Sequence, residues 1–398
     1  MQEVLPVRKA IVVVGANYGD EGKGMAVYAA VPAGERCLNV MINGGPQRGH
    51  TVDLADGRRH VFHHFGSGTL KGAVSCADED YMVNPLMFRE EYRELEKTFG
   101  LEPRLLIHGK CRVTTPWDMM TGQIIEECRG RKRHGSCGCG IFETRKRYED
   151  ADWSLGYGDL LALNEEQIEA YCIRIAETYI PERLEAMGMK AGDAWQKMLQ
   201  DRGIRQAFQE DLRYMQAHTE IYDDWAKMAK EWPYLVFEAG QGLALDEMNR
   251  QDFPYLTPSR TGSEISARRI TAIPGKTEAA VLYVTRSYLT RHGAGPLPGE
   301  CPKERINPDM TDRTNVPNPH QETLRYAMMD TKAVRKRIDM DFEASRKTLP
   351  GLKRMLLITH LNETEGKLAG DDDMEGMAEG FDVVLMSDRA DGMTGEHE

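Results

Sequence analysis

Asp20 and Lys23 share a short glycine-rich loop, Asn17-Tyr18-Gly19-Asp20-Glu21-Gly22-Lys23-Gly24, and those residue types in that setting suit phosphate chemistry. Lys23 can neutralise a phosphate, and Asp20 can hold Mg²⁺ or take a proton. Glycines let backbone N–H groups turn toward an anion, and a helix beginning there adds its partial positive charge. Such a loop needs a strand in front of it and a helix behind it, and the chain has both patterns. Ala10-Ile11-Val12-Val13-Val14-Gly15 is an apolar, β-branched run of the kind that forms a buried parallel strand, and Met25-Ala26-Val27-Tyr28-Ala29-Ala30 reads as a helix. The spacing is not that of a P-loop: Asn17 stands where that motif requires glycine, and Gly24 where it requires Ser or Thr. Taken alone, the loop reads as an ordinary tight turn.

It does not stand alone. Asn43-Gly44-Gly45-Pro46-Gln47-Arg48-Gly49-His50-Thr51-Val52 is a second glycine-rich stretch, ending in a histidine. It is followed by His64-Phe65-Gly66-Ser67-Gly68, by Gly135-Ser136-Cys137-Gly138-Cys139-Gly140-Ile141 and by Phe237-Glu238-Ala239-Gly240-Gln241-Gly242. Thr285-Arg286-Ser287-Tyr288-Leu289-Thr290-Arg291-His292-Gly293-Ala294-Gly295-Pro296 comes next. In this order the motifs resemble the adenylosuccinate synthetase family, ligases that join aspartate to the 6-oxo position of a purine nucleotide. That family writes them roughly as WGDEGKGK, GGNNAGHTV, FEGAQG and TRAYTTRVGAGP. Each is weak by itself, and their collinearity carries the resemblance.

The rest of the composition is compatible with that reading. The chain of 398 residues can bury a large core, and its net charge of −12 argues against a nucleic-acid or anionic-membrane surface. Anionic nucleotides would need a local basic pocket. No apolar run approaches membrane-spanning length, and Met1-Gln2-Glu3-Val4-Leu5-Pro6 lacks a signal-peptide pattern. Eight dispersed cysteines read as thiols in a reducing cytoplasm, that of a host if a virus encodes the chain. Cys137-Gly138-Cys139 is too tightly spaced for a zinc or redox pair and reads as small residues in a turn. Strand-like runs recur at Leu38–Ile42, Tyr234–Phe237, Ala279–Val284 and Met355–Thr359, each followed by a polar or glycine-bearing loop. In open α/β sheets such loops converge at the carboxyl ends of the strands. The expected fold is α/β, one large mostly parallel sheet flanked by helices within a single domain over 1–398. A helical insertion is expected near 160–231, with Trp195, Met198 and Met215 as packing residues. Asp371-Asp372-Asp373 reads as a solvated acidic turn.

The resemblance implies a role for each matching residue. Asp20 would remove the N1 proton of a 6-oxopurine and bind Mg²⁺, with the Gly49 carbonyl as a further metal ligand. His50 would act at O6, and Lys23 on the transferred phosphoryl group; these three are the implied catalytic residues. Gly19, Glu21, Gly22, Gly24, Gln47 and Gln241 would bind nucleotide, with Ser136, Cys137 and Thr257 on the substrate phosphate. Asn362 and Ser387 would face the base of the nucleoside triphosphate, Arg325 and Arg291 the aspartate. Arg147, in the basic cluster Arg145-Lys146-Arg147, falls where the family lends an arginine to the neighbouring subunit; otherwise the cluster is a solvated helix end. The implied partners are a purine nucleoside monophosphate, L-aspartate, a nucleoside triphosphate and a second copy in a homodimer.

The sequence departs from the family at informative places. The aspartate segment TTGRxRRxGWLD is reduced to Arg325, with Thr323 in the other arginine's place and Arg313 as a candidate replacement cation. The guanine-reading TKLD becomes Thr359-His360-Leu361-Asn362, which loses an acceptor-only carboxylate and brings ATP or dATP into play beside GTP. Pro46-Gln47-Arg48 replaces Asn-Asn-Ala beside the purine, so altered ring recognition is expected there. The segment between Asn362 and Asp382 is abbreviated. IMP is the leading acceptor and dGMP the alternative, since a phage branch of the family makes 2-aminoadenine precursors from dGMP. A nucleotide-binding regulator without turnover is the reading of another class; retention of Asp20, Lys23, His50 and Gln241 opposes it.

Overall fold

The computed structural model describes residues 7–310, 323–370, 373–389 and 394–396. Its centre is the predicted strand β1, Arg8–Gly15, whose small and β-branched side chains fit a sheet covered on both faces. Val12 and Val14 pack on one face with Trp232 and Ile338, while Val13 packs on the other with Ala26 and Val27 of the following helix. The further strands, in chain order, are β2 (Cys37–Met41), β3 (Val74–Ala77), β4 (Leu105–His108) and β5 (Glu220–Tyr222). They continue as β6 (Tyr234–Gly242), β7 (Thr277–Arg286), β8 (Lys353–Thr359), β9 (Val383–Met386) and β10 (Thr394–Glu396). All belong to one 10-stranded sheet ordered β10-β9-β8-β7-β1-β6-β2-β3-β4-β5. Every neighbouring pair is parallel except the edge pair β9–β10.

Because β1, β2, β6, β7 and β8 run the same way, the segments that follow them emerge along one edge of the sheet. Helix α1, Lys23–Ala30, begins directly after the first loop. Gly24 sits where an added Cβ would lie 2.4 Å from the Thr51 carbonyl oxygen, so glycine lets α1 touch the segment carrying His50. That segment is the start of a hairpin, His50–Asp53 paired with Arg59–Phe62. A separate antiparallel sheet of Leu289–Arg291, Arg325–Ala327 and Glu300–Cys301 pairs Arg291 directly opposite Arg325.

The 160–231 region is built from helices, among them Glu165–Arg174, Asp193–Leu199 and Arg202–Ala217, but it also contains β5, which closes one edge of the main sheet. Helix periodicity on both sides hides that short strand in the sequence. Met215 is fully buried, and Trp195 is partly buried against the same apolar cluster, with its indole N–H donating to Glu127 at 2.7 Å. Met198 is 44% exposed, so it is a surface residue and not the packing residue expected. The expected loop after Phe237 is likewise strand through Gly242, paired with β1 as far as Gly15 across an irregularity in register after Val13. Among the described residues no helix is long and apolar enough to cross a membrane.

Candidate active site

The first loop folds around its own glutamate. Glu21 is 1% exposed; its carboxylate accepts from the backbone N–H of Asn17 (3.1 Å) and Gly19 (2.9 Å), and its other oxygen meets Lys23 Nζ at 2.6 Å. Glu21 thus organises the loop from inside, its side chain occupied by the loop's own donors. Asp20 adopts φ 58°, a left-handed conformation unusual for a residue with a Cβ, which turns its side chain away from that internal network. Its backbone carbonyl accepts from Arg286 Nε, and its Oδ2 lies 3.2 Å from His292 Nε2. Burial pushes the Asp20 carboxyl up, but the hydrogen bond and charge of His292, with the charges of Arg286 and Lys23, outweigh burial and hold it at about 2. A carboxyl lowered in this way is an anion at neutral pH. The stability it contributes is present above its ordinary range and lost as pH falls through about 2.

His50 is anchored by a residue to which the sequence reading gave no role. Its Nδ1 lies 2.6 Å from Glu238 Oε1, and its Nε2 lies 3.3 Å from the Gly240 carbonyl. Glu238 is fully buried in the middle of β6 and also accepts from Ser67 Oγ (2.6 Å), Ser67 N–H (3.0 Å) and Asn39 Nδ2 (3.0 Å). Arg48 Nη1 stands 3.3 Å from the same carboxylate. Burial raises the Glu238 carboxyl, yet Arg48, His50 and Ser67 together keep it well below the usual carboxylate range. Burial lowers the His50 imidazole more than Glu238 raises it, and Lys23 and Arg48 add to the lowering.

Arg48 corrects one expectation. It is 1% exposed, donates to the carbonyls of His63 (2.9 Å) and Phe65, and touches Met41 Sδ at 2.9 Å. It points into the protein, ties the second loop to the 63–65 turn, and does not face a purine ring. Glu91 braces the same turn by accepting from the His63 N–H at 3.1 Å and from the His64 N–H. Gln47 behaves differently: both polar atoms of its amide are buried without a protein partner, as expected of a group that awaits a ligand. Gln241 turns back over the first loop, its Oε1 3.7 Å from where a Gly19 Cβ would lie.

The remaining expected residues divide. Ser136 and Cys137 form a turn in which the Gly138 N–H meets Ser136 Oγ at 3.3 Å, and Thr257 is fixed by its N–H to the Leu245 carbonyl at 3.0 Å. His134 meets Tyr255 edge to face at 5.8 Å, which brings that turn beside the Thr257 segment. Arg291 and Arg325 lie opposite each other, and both hold the 293–296 turn. Arg325 Nη1 donates to the Gly293 carbonyl at 3.0 Å and Arg291 Nη1 to the Pro296 carbonyl at 2.7 Å, while Arg325 Nε also meets Glu300 at 2.8 Å. Thr323 is exposed, and Arg313 lies outside the described residues. Asn362 is exposed in the turn after β8, and the Leu361 N–H beside it donates to the Ser387 carbonyl at 3.2 Å, so those two expected residues share one corner.

Arg147 is the clearest correction. Fully buried, it forms a two-pronged pair with Asp118 (2.8 Å to each oxygen) and donates to the carbonyls of Val113 and Trp153 and to the Tyr171 hydroxyl. Every arm of the guanidinium is engaged within its own chain, which leaves nothing to extend to a neighbouring subunit. It is not a solvated helix end either. Arg145, in the same cluster, pairs with Glu247 at 2.7 Å.

An ionised Asp20 and the backbone oxygen of the exposed Gly49 are hard oxygen donors of the kind Mg²⁺ accepts, so these residues fit the implied cation. Among the described residues no group of three or more His, Cys, Asp and Glu side chains is arranged to hold a metal. Other ligands would have to come from water and substrate phosphates, the usual arrangement for Mg²⁺.

A family model described as adenylosuccinate synthetase matches residues 12–338. Adenylosuccinate synthetase of Chromohalobacter salexigens is 31% identical over 299 residues, covering 73% of this chain and 65% of that protein. The Nitrosococcus oceani enzyme is 29% identical over 302 residues with the same coverage. The match therefore spans just under two thirds of the length of these curated relatives. Among solved structures, fully ligated adenylosuccinate synthetase from Plasmodium falciparum superposes with TM-score 0.64 at 19% identity, covering 89% of this chain and 77% of that one. The succinoaminodeoxyadenylate synthetase of cyanophage S-2L, bound to dGMP and to dATP as an energy donor, superposes with TM-score 0.63 at 15% identity, covering 98% and 95%.

The Arg147 geometry predicts a stability phenotype. Arg147→Ala strands the buried Asp118 carboxylate and should cost about 3–5 kcal/mol in chemical denaturation. An unchanged unfolding midpoint would contradict this placement.

Proposed function

Since the chain belongs to the adenylosuccinate synthetase family, we propose that it joins L-aspartate to C6 of a 6-oxopurine nucleotide through a 6-phosphoryl intermediate. A nucleoside triphosphate drives the reaction. The observation that carries the proposal is the pairing of an ionised Asp20 with a Glu238-anchored His50 on adjacent loops, with the charge of Lys23 felt by both. Binding alone requires no such combination of an ionised carboxylate and an oriented imidazole.

Asp20 takes the N1 proton, which drives electron density onto O6. His50, held by Glu238, stands at O6 as O6 attacks the γ-phosphoryl group and the nucleoside diphosphate leaves. Lys23 meets the transferred phosphoryl, exchanging its present partner Glu21 for a phosphate oxygen. A Mg²⁺ ion bound at Asp20 and Gly49 would neutralise phosphate charge. The aspartate amine then attacks C6 and inorganic phosphate leaves with the original oxygen. Arg291 and Arg325, opposite each other, supply two guanidiniums for the two carboxylates of aspartate once they release the carbonyls they now hold.

IMP is the acceptor we favour. The dGMP reading has one specific support, the exposed Asn362 in the base-reading corner: an amide lacks the two-oxygen acceptor that selects GTP, and it leaves room for an adenine donor. Products from IMP, GMP and dGMP, each paired with GTP, ATP and dATP in the presence of Mg²⁺ and aspartate, are read by mass spectrometry. A succinyl adduct is expected with at least one pair, and no adduct with any pair would overturn the proposal.

Two variants refine it. Asp20→Ala should lower the rate of adduct formation by about 10²–10⁴-fold, the usual contribution of a general base; an unchanged rate contradicts its role. Asn362→Asp should shift donor preference toward GTP by about 1–3 kcal/mol, read as the ratio of kcat/KM for GTP and ATP. An unaltered ratio would remove Asn362 from base selection.

A further inference from the structure

His292 stands where the family pattern TRAYTTRVGAGP writes valine, a side chain that can neither donate, accept nor ligate. The substitution falls at the centre of the site. His292 Nε2 lies 3.2 Å from Asp20 Oδ2, and the two side chains are 26% and 20% exposed, so the pair is open to the cleft. Both partners are held in place. Thr290, two positions before His292, reaches the Gly19 carbonyl with its hydroxyl at 3.4 Å, and Arg286 on the preceding strand holds the Asp20 carbonyl.

We propose that His292 is a nitrogen ligand, beside Asp20, for the divalent cation of this site, and that it makes the site prefer a first-row transition cation to Mg²⁺. The inference rests on the reading that a cation binds at Asp20. Two ligands in neighbouring positions around one cation, each about 2.1 Å from it, lie about 3.0 Å apart. The Asp20–His292 pair is already close to that separation, so a cation can replace the proton now shared between them with a shift of a few tenths of an ångström. Mg²⁺ holds its oxygen ligands and water tightly and gains little from imidazole, whereas affinity for a nitrogen donor rises from Mn²⁺ toward the later metals. A neutral imidazole also leaves the site's charge unchanged, so the added ligand acts through donor type and geometry.

Purified protein is loaded with Mn²⁺, with Mg²⁺ as competitor, and studied by electron spin-echo envelope modulation and by calorimetry. The wild type should show ¹⁴N modulation from one directly bound imidazole. His292→Val should abolish that modulation and weaken Mn²⁺ binding by about tenfold or more, with Mg²⁺ affinity little changed. His292→Gln, which keeps polarity and bulk, should lose the nitrogen signal in the same way, and circular dichroism establishes that each variant is folded. Mn²⁺ bound without nitrogen coupling, or coupling that survives in His292→Val, overturns the inference and leaves the ligase reading intact. Absence of Mn²⁺ binding at the site overturns it together with the assignment of a cation to Asp20. Adduct formation, measured separately, reports on the ligase reading alone.

Discussion

A single buried carboxylate, that of Glu238, is the constraint on which the second loop and its histidine depend. It sits fully enclosed in the middle of β6 and remains ionised because donors from several segments converge on it: Asn39 of β2, Ser67 of the 63–68 turn, His50 and Arg48. A charge buried this deeply is tolerated only when its lone pairs are satisfied. The same satisfaction fixes where each donor must be. His50 has its Nδ1 held, so its Nε2 edge is oriented without the substrate's help, and Arg48 carries the whole 43–50 loop down onto the sheet. The preorganisation is electrostatic, and the close packing around it keeps competing water out.

The first loop works by a related logic with the opposite outcome. Glu21 is turned inward and engages the loop's own amides and the charge of Lys23. Asp20 is left-handed and turned outward, held ionised by His292, Arg286 and Lys23. Two neighbouring carboxylates thus have different surroundings, one turned into the loop and one turned toward the cleft, set by backbone conformation. The glycines permit this: at Gly15 an added Cβ would lie 2.5 Å from the Glu21 carboxylate, and at Gly242 2.2 Å from the Asn17 carbonyl.

Much of the fold was legible because buried parallel strands have a strong signature. β1, β2, β6, β7 and β8 announce themselves as continuous apolar runs, and their shared direction makes convergent loops follow. β5 was not legible, since Glu220–Tyr222 is short, half-exposed and enclosed by helix-like sequence. In the site, Asp20, Lys23 and His50 were singled out through the collinear motifs of the resemblance, since each glycine-rich loop alone reads as a turn. Glu238 and His292 stood within the recognised motifs, but their partners, His50 and Asp20, are remote in sequence, so nothing local marks them. Arg48 and Arg147 were misread for one shared reason: an arginine in a polar stretch looks solvated or ligand-facing, and only the tertiary structure reveals a buried carboxylate beneath it.

The central claim is that the 6-oxo oxygen is made a leaving group by phosphorylation, and an isotope experiment addresses it directly. The accepted purine nucleotide, labelled with ¹⁸O at its 6-oxo position, is turned over with aspartate, and the released phosphate is examined by ³¹P NMR. The account predicts that the phosphate carries the ¹⁸O, displaced by the isotope shift of a single labelled oxygen. Unlabelled phosphate, with the label either retained in the nucleotide or lost to water, would contradict it.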